Sequence, residues 1–187
     1  MRWSLCFAIL VGMSQSVTIV GAGLAGSEAA LQLADRGVRV RLVEMRPKTP
    51  TPVHVTGCCA ELVCSNSLKS EKPDSAAGML KRELAELGSQ LYAQAKLHAV
   101  PAGGALAVDR TAFAEAVTAL VEAHPLIDLV HDEIVDLVQA AEGADALVVA
   151  AGPLASDALA ASLSRLAGEE HLAFYDAAAP IVMADSL

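Results

Sequence analysis

Three glycines at a fixed spacing are the first residues in this sequence that could do chemistry. Gly21, Gly23 and Gly26 lie in the hexamer GAGLAG, which fits the pattern G-x-G-x-x-G. The first glycine allows a tight turn, the second lets a pyrophosphate approach the backbone, and the third lets a helix pack close to a strand. The free N–H groups of the following helix favour phosphate. We predict dinucleotide binding by the whole hexamer: Gly21, Ala22, Gly23, Leu24, Ala25 and Gly26.

The surroundings of the hexamer strengthen this prediction, since the hexamer alone is weak evidence. It follows the buried run VTIV, opens a helical pattern, and is followed by a second strand that ends in Glu44. A carboxylate at that position can accept hydrogen bonds from the ribose hydroxyls of a dinucleotide. It would also repel the additional phosphate of an NADP adenosine.

The glycine loop does not distinguish FAD from NAD, but three further features favour FAD. Glu28 lies just inside the helix, as is common in flavoproteins of this class. The late strand ending at Ala150-Ala151-Gly152 resembles the second flavoprotein signature, so Gly152 is a further candidate cofactor contact. Residues 133–135 would then form the strand edge whose backbone meets the adenine.

Cys64 is the candidate catalytic residue, in the segment AELVCSNS. A thiol can add to an electron-poor carbon such as C6 of a pyrimidine, or relay a proton, and nearby positive charge would lower its pKa. Lys69 and Lys72 are the neighbouring cations in sequence. The alternative from the residues alone is a buried cysteine that acts as a small hydrophobe.

The remaining polar residues give weaker signals. Cys58, Cys59, Cys64 and His54 match no zinc spacing, so we expect no metal. His98 and His124 lie near predicted helix C-termini, which suits capping. Asp109-Arg110 could form a structural ion pair or place a polar group beside a flavin ring, and Arg110 is a candidate cofactor contact.

Composition favours an α/β domain with an aliphatic core. Hydrophobic residues make up 54% of the 187 residues, aromatic residues 3%, and the mean hydropathy is +0.46. The net charge of −9 gives no long-range attraction to nucleic acid. The four cysteines do not have the spacing of a disulfide scaffold, which favours a reducing, cytoplasmic setting without membrane association. Residues 1–12 resemble a minimal signal peptide but are interpreted as a surplus extension before the dinucleotide-binding domain, residues 13–187.

Hydrophobic periodicity predicts a Rossmann-like domain with a mostly parallel sheet. Strands are expected at residues 17–20, 38–44 and 146–150, with a strand pair over 127–138. Helices are expected at residues 24–36, 76–98, 111–124 and 154–167. Residues 45–75 and 101–110 are expected to be loops, and a loop as long as 45–75 is usually functional.

Five segments in order resemble the amino-terminal part of one known family. They are VTIVGAGLAGSEAALQLADRGVRVRLVEMRP, AELVCSNSL, VPAGGALAVDR, AAGPL and FYDAAAPIV. They resemble the TrmFO flavoproteins, folate-dependent tRNA (uracil-5-)-methyltransferases related to the GidA-type proteins. The resemblance implies that FAD, reduced by NADPH or NADH, takes a one-carbon unit from methylenetetrahydrofolate for C5 of a uridine in the tRNA T-loop. It also implies that Cys64 is the family's functional cysteine.

Two features depart from the family pattern. Thr56-Gly57-Cys58-Cys59 stands where the family usually has a charged and aromatic stretch. Family members are also more than twice this length, and the additional part would carry a second functional cysteine and most of the tRNA surface. Two other functions therefore stay open: a general FAD/NAD(P)-dependent oxidoreductase or GidA-like protein, and a truncated chain without catalytic activity. The oligomeric state is not determined by the sequence.

Overall fold

A four-stranded parallel sheet lies at the centre of the computed structural model, which describes residues 15–168. The predicted extension 1–12 and the segment FYDAAAPIV lie outside the described residues. The elements in chain order are β1 (Ser16–Val20), α1 (Leu24–Asp35), β2 (Arg39–Glu44), β3 (Ser67–Ser70), α2 (Ala76–Glu86), α3 (Gln90–Leu97), β4 (Ala99–Val100), β5 (Ala105–Val108), α4 (Arg110–Ala123), β6 (Ile127–His131), α5 (Leu137–Ala141), β7 (Ala146–Val149) and α6 (Asp157–Ala167).

The strand order of the parallel sheet is β6-β2-β1-β7. β1 pairs with β2 and β7, and β2 pairs with β6, always in parallel. Numbered among themselves, these strands have the order 3-2-1-4, which is the order at the centre of a dinucleotide-binding sheet. The predicted α/β fold class with a mostly parallel sheet is confirmed.

Two apolar layers cover the sheet. Ile19 and Leu42 pack with α1, α3 and α4 in the larger core, where Phe113 is fully buried. Val20 packs with α5 and α6 in a smaller core on the other face. Because β1 alternates its side chains between the faces, one short strand contributes to both cores. None of the helices within residues 15–168 has the length and apolar character needed to cross a bilayer.

A second, antiparallel sheet was not predicted. Its strand order is β3-β5-β4, and it is built from segments that the sequence analysis assigned to loops. These strands are only two to four residues long and two of them flank glycines, so their hydrophobic patterns are too short to detect.

The single helix predicted over residues 76–98 is wrong, because the chain forms α2 and α3 there. Gly88 has φ +73° between them, and the Ser89 side chain accepts a hydrogen bond from Tyr92 N at the start of α3. Glycine in the left-handed region followed by a serine cap ends one helix and begins another. Hydrophobic periodicity also predicts one apolar stripe along this segment, made of Met79, Leu80, Leu84, Leu87 and Leu91, but Met79, Leu80 and Leu87 are exposed.

Two smaller expectations also differ from the structure. Residues 127–138 form one strand, β6, followed by α5, because Asp136 caps the helix by accepting hydrogen bonds from Val138 N and Gln139 N. On α1, hydrophobic periodicity places Leu24, Ala25, Ala29 and Leu33 on one face. Leu24 and Ala25 are exposed, whereas Ala30 and Leu31 are buried. The apolar face of α1 is therefore rotated from the one that the sequence predicted.

Glycine 26 sets the distance between α1 and the end of β1. A Cβ atom at Gly26 would lie 1.8 Å from the Gly21 carbonyl oxygen, whereas a Cβ atom at Gly23 would meet nothing within 4 Å. An added methyl group therefore disturbs the packing of α1 at Gly26 but meets no neighbouring atom at Gly23.

We expect Gly26→Ala to lower the free energy of unfolding by about 2 kcal/mol or more, because α1 must move away from the sheet. Gly23→Ala is the matched control and should change it by less than about 1 kcal/mol. Urea denaturation of the full chain, followed by far-UV circular dichroism, measures both. Equal stability of the two variants would contradict the close packing at Gly26.

Candidate functional site

The glycine loop has the geometry that the sequence predicted. Gly21 has φ +98°, and its N–H donates to the Val43 carbonyl at 2.7 Å. A Cβ at Gly21 would lie 2.7 Å from the Ala150 carbonyl oxygen, so no larger residue fits. Gly23 instead faces open space. The loop thus leaves a clear approach to its backbone at the position where a pyrophosphate would lie.

The N-terminus of α1 has no side-chain cap. Gly23 is its N-cap residue and offers no acceptor, whereas α2, α3, α4, α5 and α6 each have a serine or aspartate side chain that accepts from the first turn. First-turn N–H groups that no side chain within residues 15–168 caps suit an anionic group from a ligand. The open space above Gly23 and this uncapped turn together fit the phosphates of a dinucleotide.

Glu44 lies at the end of β2, as predicted, but its carboxylate already has protein partners. It is 5% exposed, and one oxygen accepts from Ala22 N at 2.9 Å. The other oxygen accepts from Arg46 N at 3.1 Å and from Arg46 Nε at 2.8 Å. Burial raises the pKa of this carboxyl, but the bonds from Arg46 and Ala22 outweigh burial and lower it below its ordinary value. Glu44 is therefore ionised at neutral pH.

A crevice lies at the carboxyl ends of β1, β2 and β6. The crevice has a volume of about 40 Å³ and is lined in part by Gly21, Glu44, Glu133 and Ala151. A nucleotide needs several hundred Å³, so most of it would lie outside the crevice. Ligands of open α/β sheets bind at this edge of the sheet. The segment 133–135 does border the crevice through Glu133 and Ile134, although it is not the strand that was expected.

Gly152 and Arg110 lie apart from this crevice. Gly152 has φ +68° and lines a neighbouring apolar pocket of about 160 Å³ with residues of α6. Arg110 lies at the start of α4, where its Nη1 donates to the Leu62 carbonyl at 3.3 Å. Asp109 caps α4 by accepting from Thr111 N and Ala112 N. Within residues 15–168 these two neighbours do not form the ion pair that the sequence left open.

Cys64 is exposed, so the alternative of a buried, hydrophobe-like cysteine is wrong. It borders an open depression of about 490 Å³ with Ser65, Asn66, Val108 and Arg110. Lys69 and Lys72, the cations proposed from sequence proximity, do not line this depression. Arg110 is the cation that the fold brings to it, and this placement required two elements distant in sequence to meet.

The two cysteines before Cys64 differ in environment, since Cys58 is half-buried and Cys59 is buried. Cys59 is fully buried in the larger core, where burial raises the pKa of its thiol to about 11. Its backbone N–H donates to the Thr118 hydroxyl at 2.9 Å. The next residue, Ala60, has φ +53° and donates from its N–H to the Ala22 carbonyl at 2.8 Å. The segment that contains Cys58, Cys59 and Cys64, called the cysteine loop below, is therefore attached directly to the glycine loop. The sequence did not indicate this contact.

Other candidate residues have structural roles. Glu28 accepts from Ser89 Oγ, Gln90 N and Leu91 N, so it fixes the N-terminus of α3 to α1. His98 and His124 are the C-cap residues of α3 and α4, in agreement with the capping interpretation. Residues 15–168 contain no group of three or more His, Cys, Asp or Glu side chains that could hold a metal ion.

Comparison with known proteins identifies close relatives of this chain. Three methylenetetrahydrofolate–tRNA-(uracil-5-)-methyltransferases named TrmFO are among them. The chain is 54% identical to that of Desulforudis audaxviator and 55% identical to that of Geobacter sulfurreducens, covering 94% of this chain and 39% of each relative. It is 53% identical to that of Bacillus subtilis, covering 92% of this chain and 39% of the relative. The chain thus spans about two fifths of their length.

A solved structure and a family comparison complete this picture. The 6-hydroxypseudooxynicotine amine oxidase of Pseudomonas geniculata is 18% identical to this chain. The aligned region covers 74% of this chain and 14% of the oxidase, and its TM-score is only 0.37. Residues 16–187 match the family described as "Glucose inhibited division protein A". Since that match includes every described element, the chain belongs to the glucose inhibited division protein A family.

Proposed function

We propose that this chain supplies the FAD site and one reactive thiol of a folate-dependent tRNA (uracil-5-)-methyltransferase. The observation that carries the proposal is the meeting of the glycine loop with the cysteine loop, through the bond between Ala60 N and the Ala22 carbonyl. A plain oxidoreductase needs the first loop but has no use for an exposed thiol attached to it. The names of the relatives, which are 53 to 55% identical, support the same activity.

The residues present fit an FAD adenosine diphosphate. The open backbone at Gly23 and the uncapped first turn of α1 would bind the pyrophosphate, and Glu44 would accept hydrogen bonds from the ribose. Glu44 and Glu133 both border the crevice and disfavour the additional phosphate of an NADP molecule in the same place. The neighbouring Gly152 would contact the cofactor further along its length.

FAD bound there would pass reducing equivalents from NADPH or NADH to the one-carbon unit of methylenetetrahydrofolate, which becomes the methyl group on uridine C5. Cys64 has the exposure that contact with a uracil ring requires. Its thiol would activate the ring by adding to C6, or would carry the proton that leaves C5. Arg110, which borders the same depression, would bind an anionic group of the substrate or cofactor.

The tRNA surface is proposed to lie mostly in the part of the relatives that this chain does not match. A net charge of −9 over 187 residues does not favour binding to the phosphate backbone of tRNA. A cytoplasmic location fits the three cysteines of the described part, which are all free thiols, and the exposure of Cys64. Folate and tRNA are accordingly proposed as partners of the complete enzyme.

The visible absorption spectrum of the purified chain tests the cofactor assignment. We expect bands of bound flavin, with FAD identified by chromatography after the protein is denatured. A folded protein that takes up no flavin, even after incubation with excess FAD, would contradict the assignment of the crevice to FAD in this chain.

Gly23→Asp should abolish flavin binding, because its carboxylate would project into the open space where the pyrophosphate lies and would repel it. Gly23→Ala is the control for loss of the glycine alone and should weaken binding much less. Fluorescence of released flavin per mole of protein measures both variants. Unchanged flavin content in Gly23→Asp would remove the glycine loop from the site.

Cys64→Ala should retain flavin and lose methyl transfer by about a hundred-fold or more, as is usual when a covalent or proton-transfer group is removed. The assay is incorporation of a labelled one-carbon unit into tRNA, in a version extended to the full length of the relatives. Cys58→Ala, which removes a half-buried thiol from the same loop, is the matched control. Full activity in Cys64→Ala would return that thiol to a structural role.

A further inference from the structure

A buried arginine joins the floor of the dinucleotide crevice to the cysteine loop. Arg46 lies two residues after the end of β2 and is only 3% exposed. Its Nε donates to Glu44, and its Nη1 donates to Glu61 Oε2 at 3.0 Å. Both carboxylates are themselves almost fully buried. The result is a continuous Glu44–Arg46–Glu61 triad with charge-assisted bonds at both ends.

The cysteine-loop end of the triad is densely bonded. Arg46 also donates to the Thr56 carbonyl at 3.3 Å and, through Nη2, to the Cys58 carbonyl at 3.2 Å. Glu61 accepts from Val55 N at 2.9 Å, and from Thr56 N at 3.1 Å and Thr56 Oγ1 at 2.6 Å. Residues 55–61 form neither a strand nor a helix. One guanidinium and one carboxylate hold most of this segment, and the bonds from Cys59 N and Ala60 N hold its end.

The crevice end of the triad involves the group assigned to ribose. A carboxylate has about four acceptor sites, and Glu44 uses three of them for Ala22 N, Arg46 N and Arg46 Nε. A ribose hydroxyl that takes the remaining site leaves the bonds from Arg46 in place. With all four sites filled, the Glu44 carboxylate is held more firmly, and the Arg46 guanidinium with it. Because the guanidinium is planar and rigid, a displacement of its Nε also displaces Nη1 and Nη2.

We propose that Arg46 and Glu61 are positioning residues that couple occupancy of the dinucleotide crevice to the placement of the Cys64 thiol. Glu44 holds Arg46, and Arg46 with Glu61 holds residues 55–61. A nucleotide bound at Glu44 strengthens the first of these contacts and with it the placement of the segment that carries Cys64. The inference rests on the proposed function, since it needs a nucleotide in the crevice. It adds a physical connection by which the thiol is held in place when the cofactor is present.

The experiment measures the alkylation rate of Cys64 by iodoacetamide in the full chain, with each cysteine followed by peptide mass spectrometry. ADP is the probe, because it occupies only the crevice, and its binding to each variant is measured by calorimetry. Saturating ADP should slow alkylation of Cys64 by about five-fold or more, which is the lower end of ordinary coupling between two sites. Cys59, in the core, should stay unreactive throughout.

Glu61→Gln removes the charge that Arg46 meets on the cysteine-loop side. We expect this variant to bind ADP, to alkylate faster than the unaltered chain without ADP, and to lose the protection that ADP gives. Glu71→Gln is the matched control, since Glu71 accepts from Lys96 at 2.9 Å in a more exposed pair away from this triad. It should keep both the basal rate and the protection.

A buried charge left without its partner can unfold a protein, so a milder variant accompanies Glu61→Gln. Thr56→Val removes the hydroxyl that donates to Glu61 and accepts from Cys58 N, and it should reduce the protection by ADP in the same direction. Circular dichroism establishes that each variant is folded.

The outcomes separate the two proposals. ADP binding with no protection of Cys64, or with equal protection in Glu61→Gln, overturns the coupling and leaves the crevice assignment intact. Failure of the unaltered chain to bind ADP overturns the crevice assignment and the coupling that rests on it. Protection that is lost in Glu61→Gln and kept in Glu71→Gln supports the coupling.

Discussion

The contact between the start of α1 and the end of β1 is the constraint on which the rest of this structure depends. No Cβ atom fits at Gly26, and none fits at Gly21, where the Ala150 carbonyl lies too close. Since the helix begins against the sheet, its uncapped first turn points along the carboxyl edge of the strands. The backbone of Ala22 then meets Glu44 through its N–H and Ala60 through its carbonyl. Both candidate sites are built outward from this one turn.

The buried charges beside that turn make the site rigid, and removing them from water costs free energy. Glu44, Arg46 and Glu61 are almost fully buried, a state that proteins tolerate only when every charge is paired and hydrogen bonded. The triad satisfies this requirement with bonds to the backbone of both loops. A stable link of this kind would suit the proposed function, in which a cofactor and a thiol from separate segments act on one substrate.

The sequence analysis succeeded where a feature depends on neighbours in the chain. The glycine spacing, the buried strand β1, the presence of strand β7 and the acid at the end of β2 could all be identified from short patterns, although β7 is an edge strand and is largely exposed rather than buried. It failed where a local signal competed with a longer pattern. Gly88 and Ser89 divide the helix predicted over residues 76–98, and Asp136 starts α5 where a second strand was expected. In each case a capping residue outweighed the hydrophobic periodicity.

The sequence by itself determined the fold class and predicted the dinucleotide site and the candidate thiol, because each depends on residue types at fixed local spacing. Only the tertiary structure decided which cation accompanies Cys64, that Glu44 is bonded to Arg46, and that Cys59 is part of the core. Arg110 and Cys64 are separated by three short strands and two helices, and nothing in their spacing indicates contact. Long-range placement follows from how whole elements pack, which a single sequence does not encode in any local pattern.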